Sequence, residues 1–313
     1  MIAHDIEVIR NGSQYRVSDN PFTYNHLEVV EYNVTGAGYH RNYSDIEGID
    51  GRFHNYAKEE LKKVELKLRY KVPKIAYASH LKSDVQALFA GRFYLRELAT
   101  PDNSIKYEHI LDASKGKQAF ELDYVDGRQL LVGLVSEVSF DTTQTSGEFS
   151  LSFETTELPY FESVGYSTDL ESDNDPEKWS VPDRLPTNEG DKRRKMTFYN
   201  TNSGEVYYNG DVPLTQFNQF NVVEIELAED VKADDKDGFT FYTDKGNISV
   251  IKDVDLKAGD KIIFDGKHTC RGYLNIDSFN KTLEQPVLYP GWNRFKSNKV
   301  MKQITFRHKL YFR

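Results

Sequence analysis

Residues 119–154 constrain the fold of this chain more than any other stretch. They read AFELDYVDGRQLLVGLVSEVSFDTTQTSGEFSLSFE. Apolar side chains recur at every second position through Leu130, Val132 and Leu134, then at Val138 and Phe140, and again at Phe149, Leu151 and Phe153. A period of two marks strands with one face in a core. Asp126-Gly127 lies between two apolar-rich runs and predicts a hairpin. Leu131 and Val135 are apolar on the opposite parity. A sheet apolar on both faces needs a layer on each side. The one good helix of this half can supply one layer, and a second subunit can supply the other.

The rest of the chain is mostly strand as well. It has 313 residues with 20 Tyr and 19 Phe, residue types that favour strands, and enough length for two cores. Ile6 and Val8 begin a strand that Asn11-Gly12 turns back into Tyr15-Arg16-Val17. Leu27 to Tyr32 is the next. Residues 36–55 hold Gly36, Gly38, Gly48 and Gly51 and show little period, so a long loop or arm is expected. Val64, Leu66, Leu68 and Tyr70 alternate with charged residues until Pro73. A helix is expected from Ser83, with Gln86 completing a capping box, or from near Ser79, and Gly91 ends it. Strands follow at Phe93 to Arg96 and at Ile105 to Ile110.

These elements make a first domain over residues 1–165. A polar segment with few aliphatics, residues 166–195, reads as a linker or surface excursion, with Trp179 as its anchor. Residues 196–313 read as short strands joined by turns at Asn202-Ser203-Gly204, Asp237-Gly238, Lys245-Gly246-Asn247, Asp265-Gly266 and Pro290-Gly291-Trp292-Asn293. That spacing predicts a β-sandwich or barrel.

Charge and motifs narrow the chemistry. A net charge of -9 argues against a nucleic-acid binder, and Lys58–Lys71 and Lys192–Lys195 read as solvated faces. No apolar window is long enough for a membrane span. No secretory signal is read at the N-terminus, and the single Cys270 leaves no intrachain disulfide. Cys270 is expected as a buried thiol. The sequence has no nucleophile elbow and no phosphate-binding glycine loop. The histidines lack metal spacing, and Ala233 to Gly238 lacks the first and last carboxylates of a calcium loop. No catalysis, cofactor or metal is therefore expected. A glycan platform on Tyr273, Tyr289 and Trp292, with Asn275 or Asn293 as polar partners, is the one binding site the residues suggest.

The order of these motifs resembles the distal tail proteins of long non-contractile-tailed bacteriophages, particularly those of staphylococcal phages. The resemblance is carried by SDVQALFAG, FELDYVDGRQLLVGLVSEVSF and GEFSLSFETTELPYFE in the first half. In the second half it is carried by GEVYYNGDVPLTQF, GFTFYTDKGNISVIKDVDLKAGDKIIFDG and LYPGWNRF. It implies a mainly β chain: an N-terminal ring-forming domain with one helix, then a galectin-like β-sandwich. It implies a homohexameric ring at the tail tip or baseplate of the virion, made in the host cytoplasm. The ring would join the tail tube protein to the tail-associated tip or fibre-like protein and the receptor-binding baseplate proteins. Ring contacts would come from residues 1–35, 60–72 and 119–154, and the 36–55 arm would clasp a neighbour. Asp123, Asp126, Glu137 and Asp141 would face a lumen that DNA traverses without being specifically bound. The alternative is a carbohydrate-binding module that recognises cell-wall glycan through the second domain.

Overall fold

The computed structural model describes residues 4–100, 122–172, 175, 178–179, 185–186, 188, 190–245 and 248–313. The expected strand at Ile105 to Ile110 lies outside the described residues. Two compact units make up the chain, Met1–Phe161 with Arg313, and Glu162–Phe312. Both are built from antiparallel strands, with two α-helices among the described residues.

The first unit contains β1 (His4–Arg10), β2 (Ser13–Arg16), β3 (Leu27–Thr35), β4 (Tyr39–Ser44), β5 (Phe53–Glu59), β6 (Lys63–Lys71), α1 (Ile75–Leu88), β7 (Arg92–Ala99), β8 (Asp123–Tyr124), β9 (Arg128–Leu134) and β10 (Ser146–Thr155). Its main sheet runs β2-β1-β7-β9-β10-β6-β3. Asn11 and Gly12, with φ of 51° and 78°, close a two-residue turn between β1 and β2, as the Asn-Gly pair predicts. On β6, Val64, Leu66, Leu68 and Tyr70 are buried and alternate with the charged residues Glu65, Lys67 and Arg69. They share one core with Phe149, Leu151 and Phe153 of β10 and with Ala78, Leu81, Val85 and Leu88 of α1. Leu134, Val138 and Phe140 pack at its margin.

Two expectations for this unit are corrected. α1 starts at Ile75, not Ser83, and its N-cap Lys74 makes no side-chain cap bond. The buried positions recur every three or four residues from Ala78, so burial of that stripe carries the helix two turns past the Ser-Gln signal. Asp126-Gly127 also makes no hairpin. Tyr124 pairs with Leu98 and Leu130 with Leu95, both antiparallel to β7. Residues 123–134 therefore follow β7 along one path, kinked where the Asp126 carboxylate accepts the Arg128 N–H at 2.9 Å. Pairing with β7 satisfies both segments' backbones, and the Asp-Gly pair supplies only the kink.

β11 (Phe161–Ser163) precedes the second unit's elements: α2 (Ser167–Ser172), β12 (Thr197–Tyr208), β13 (Asn221–Leu227), β14 (Phe239–Thr243), β15 (Ile248–Ile251), β16 (Lys261–Phe264), β17 (Thr269–Arg271), β18 (Leu274–Asn275), β19 (Gly291–His308) and β20 (Tyr311–Phe312). The strand order is β15-β14-β19-β13-β16-β17-β18, with β12 along β19. The turn expected at Asn202 to Gly204 is a bulge inside a single 12-residue strand. Pro290 to Asn293 likewise leads straight into one 18-residue strand. Phe295 and Phe306 lie on that strand, yet their rings are 5.2 Å apart. Eleven extended residues would span about 36 Å, so the strand folds over at the register shift and serves two layers. Phe198, Phe241, Phe264, Phe295 and Phe306 fill the space between.

The polar segment before β12 is tied into this unit. Leu170 and Trp179 are buried, and the Arg194 guanidinium donates to the Leu170 carbonyl at 2.8 Å. Cys270, expected to be buried, is half-buried on β17.

Candidate assembly surface

The expected arm is a two-stranded ribbon. β4 and β5 pair with each other and with no other strand among the described residues. Alternating aromatic and polar residues favour the extended chain. Gly48 and Gly51, with φ of 81° and 102°, allow the tip to turn. Asn55 bridges the strands, donating to Asn42 at 2.7 Å and accepting from Ser44 at 3.2 Å. Tyr43 packs edge-on to His54 at 5.6 Å, and the Arg52 guanidinium sits 6.0 Å from the Tyr43 ring. Tyr39, Tyr43, Ile46, Ile49, Phe53 and Tyr56 are nevertheless 43–57% exposed. A lone two-stranded ribbon is marginal in water, and clustered exposed apolar side chains mark a surface that meets another.

A second open surface lies on the sheet itself. Ile9 pairs with Tyr94, and Tyr94 with Leu131, which sets a row across β1, β7 and β9 on the face away from the core. This row lines a cavity of about 580 Å³ with Phe93, Arg10, Arg92 and Glu157. Arg10 Nη1 donates to the carbonyls of Ala87 at 2.9 Å and Ala90 at 3.1 Å, placing a cation at the end of α1. Arg92 pairs with Glu157. Leu131 is half-buried and Val135 is 55% exposed, so the second apolar parity read from the sequence does lie outside the core.

The four acidic residues occupy two places. Asp123 is exposed on β8, and Asp126 lines a further cavity beside Tyr32, Glu97 and Arg128. Burial there, together with the Glu97 and Asp126 charges, pushes the Tyr32 phenol up. Glu137 and Asp141 are exposed in the loop after β9. Hydrogen bonds from the Thr143 hydroxyl at 2.7 Å and its N–H at 2.8 Å hold the Asp141 carboxyl below its ordinary range. Its main-chain carbonyl accepts the Tyr70 hydroxyl at 2.5 Å, which fixes the loop to the core.

The glycan-platform residues are spread over the second unit. Trp292 lies opposite Tyr207 with rings 5.1 Å apart, while Tyr273 is fully exposed in the β17–β18 turn. β13 and β16 separate β19 from that hairpin. Tyr289 is half-buried. Asn293 is buried, and its amide bonds the Tyr289 N–H at 2.9 Å and the Tyr289 and Gly291 carbonyls at 2.7 and 2.9 Å. Asn275 donates to the Asp277 carboxylate at 2.9 Å and accepts from its N–H at 2.8 Å. The same carboxylate takes His268 Nδ1 at 2.7 Å, which raises the imidazole's pKa. Asp235, in the acidic turn, is paired with Lys299 at 2.8 Å.

Compared with solved structures, the chain superposes on the SPP1 Dit (gp 19.1) protein with a TM-score of 0.58 over 97% of this chain and 99% of that one. The fold is that of SPP1 Dit. Sequence identity is 9%, so backbone architecture carries the likeness. SPP1 Dit is described as a paradigm of the hub adsorption apparatus in phages infecting Gram-positive bacteria. Two structures of the phage p2 baseplate in its activated conformation, with Sr and with Ca, align at a TM-score of 0.38. Their identities are 9% and 11%, with 98% and 99% of this chain covered and 97% and 98% of theirs. No sequence-family profile matches the chain. No curated protein matches it by sequence. No described helix is long and apolar enough to cross a membrane.

Proposed function

We propose that this chain is a structural hub of a phage tail tip or baseplate, without catalytic activity. Six copies close into a ring around the DNA channel. The ring joins the tail tube protein to the tail-associated tip or fibre-like protein and to the receptor-binding proteins. The observation that carries this is the unsupported β4–β5 ribbon with its row of exposed aromatics, in a chain that shares its fold end to end with a hub protein. A ribbon marginal alone becomes stable when its apolar residues are covered by a neighbour, and a contact between unlike surfaces repeats until rotation closes it.

Light scattering with negative-stain imaging of the purified chain tests this directly. A six-membered ring is expected, formed by the chain itself or on addition of the tail tube protein. A chain that stays monomeric under both conditions would remove the reading. Within that ring, Asp123, Asp126, Glu137 and Asp141 discourage DNA from sticking through like charge. Replacing all four by their amides slows ejection, and unchanged ejection from assembled virions rules out that role. Glycan recognition has no comparable support, because the Asn275 and Asn293 amides are engaged inside their own turns.

A further inference from the structure

The core of the first unit changes chemistry at one end. On β1, β7 and β9 the core-facing residues are Ile6 and Val8, Phe93 and Leu95, and Leu130 and Val132. Side chains two apart share a face of a strand, so His4, Glu97 and Arg128 are the next to point inward. Charged side chains on a core-facing parity are seldom left without a partner. Glu97 and Arg128, on paired strands, line a cavity of about 580 Å³ with Tyr32. Leu95, Val34 and Phe161 form its apolar wall. Lys62 is buried, and its Nζ lies 5.5 Å from the Phe161 ring. His4 Nε2 is 2.6 Å from Glu97 Oε1, but Glu97 Oε2 and the Tyr32 hydroxyl have no hydrogen-bond partner among the described residues. The volume is that of a small-ligand site.

We propose that this cavity binds a free amino acid with a large apolar side chain. Such a ligand carries an ammonium and a carboxylate on one carbon. Facing positions on paired strands stand about 5 Å apart, so Glu97 and Arg128 can meet the two groups at once. Glu97 Oε2 accepts from the ammonium, the Arg128 guanidinium donates to the carboxylate, and the Tyr32 hydroxyl donates to the same carboxylate. The apolar side chain lies against Leu95, Val34 and Phe161. A plain anion or a plain cation fits less well, because the lining sets three carboxylates, Glu59, Glu97 and Asp126, against three cations, Lys62, Arg128 and Arg313. The site lies within one copy, so it exists with or without a ring.

Titration calorimetry of the full chain with L-phenylalanine tests it. Saturable binding at a single site per chain is expected. N-acetyl-phenylalanine lacks the ammonium and phenylalaninamide lacks the carboxylate, and each should bind about tenfold more weakly. These comparisons use the wild-type chain, so they stand whether or not a variant folds. Glu97→Gln should weaken phenylalanine by a similar factor and leave N-acetyl-phenylalanine unchanged. Arg128→Gln should weaken phenylalanine and leave phenylalaninamide unchanged. No saturable heat, or an analogue that binds as tightly as phenylalanine, overturns the proposal. Phenylalanine binding that neither variant alters places the ligand elsewhere and also overturns it.

Discussion

The two units bury their aromatic residues differently. In the second, Phe198, Phe241, Phe264, Phe295 and Phe306 meet ring against ring between two layers, and the β12–β19 pair bends to enclose them. In the first, an equally aromatic segment, Tyr39 to Tyr56, stands out as a ribbon with its rings in solvent. The second unit also exposes large apolar residues, Tyr199, Phe217, Tyr273, Leu274 and Leu283, but they do not stand together on one paired ribbon as Tyr39 to Tyr56 do.

The largest effect that tests this contrast is in the second core. Phe295 touches three other rings of the cluster, so Phe295→Ala should cost about 3–5 kcal/mol in urea unfolding. Both tryptophans, Trp179 and Trp292, belong to the second unit, so their fluorescence follows that unit alone. A loss under about 1 kcal/mol would mean the aromatic cluster relaxes freely and does not hold the unit together.

Acid should separate the units next. His308 is fully buried, with neither ring nitrogen hydrogen-bonded, and burial pushes its pKa from 6.5 down to about 3. The unfolded chain takes up a proton below pH 6.5 that the folded unit refuses until about pH 3. Stability from this group is therefore full above pH 6.5 and falls through that window, by roughly 3 kcal/mol at pH 4. Asp5 of the first unit is also buried, and burial raises its pKa against the bonds from Ser18 and Ile6. Its contribution is present below 3.8 and lost as pH rises through the folded value, the opposite sign. Tryptophan fluorescence in an acid titration should show the second unit's loss, and His308→Phe should flatten it. An unchanged titration in that variant would assign the acid limb elsewhere.

A smaller effect sits at the bulge. A Cβ on Gly204 would lie 2.5 Å from the Phe295 ring, so Gly204→Ala must displace that ring and should cost about 1–3 kcal/mol. The same fluorescence melt measures it, and an unshifted melt would show slack in the core.

Much of this contrast is legible in the sequence where periodicity and burial coincide. β6 alternates strictly because one face meets the core and the other meets water, and its pattern in the chain is its pattern in the fold. The Asn11-Gly12 turn is equally direct, because its backbone angles exclude most other residues. Long-range pairing is where local signals fail. Asp126-Gly127 and Asn202-Ser203-Gly204 both have turn chemistry, yet each lies inside a path already paired to a long partner strand. The ribbon was readable as an arm from its glycines, but not as strands, since an aromatic alternation with no buried side has no apolar face to count. The Arg10-rimmed cavity was unreadable, because register across β1, β7 and β9 brings Ile9 and Leu131 together from positions far apart in the chain.

The smallest expected effect on stability is the sharpest test of the contrast. Tyr43 and Tyr56 are large aromatics, and in the second unit comparable truncations are costly. On the ribbon Tyr43 and Tyr56 are about half exposed, and the Tyr43 ring meets His54 of the paired strand. Truncating them removes little burial from the monomer, so Tyr43→Ala with Tyr56→Ala should leave urea unfolding of the dilute chain within about 0.5 kcal/mol of wild type. The same variant should assemble poorly, because those rings acquire burial only when a neighbour covers them. If the dilute monomer instead loses stability by an amount typical of a core truncation, the ribbon packs on its own chain, and the contrast with the enclosed aromatic cluster fails.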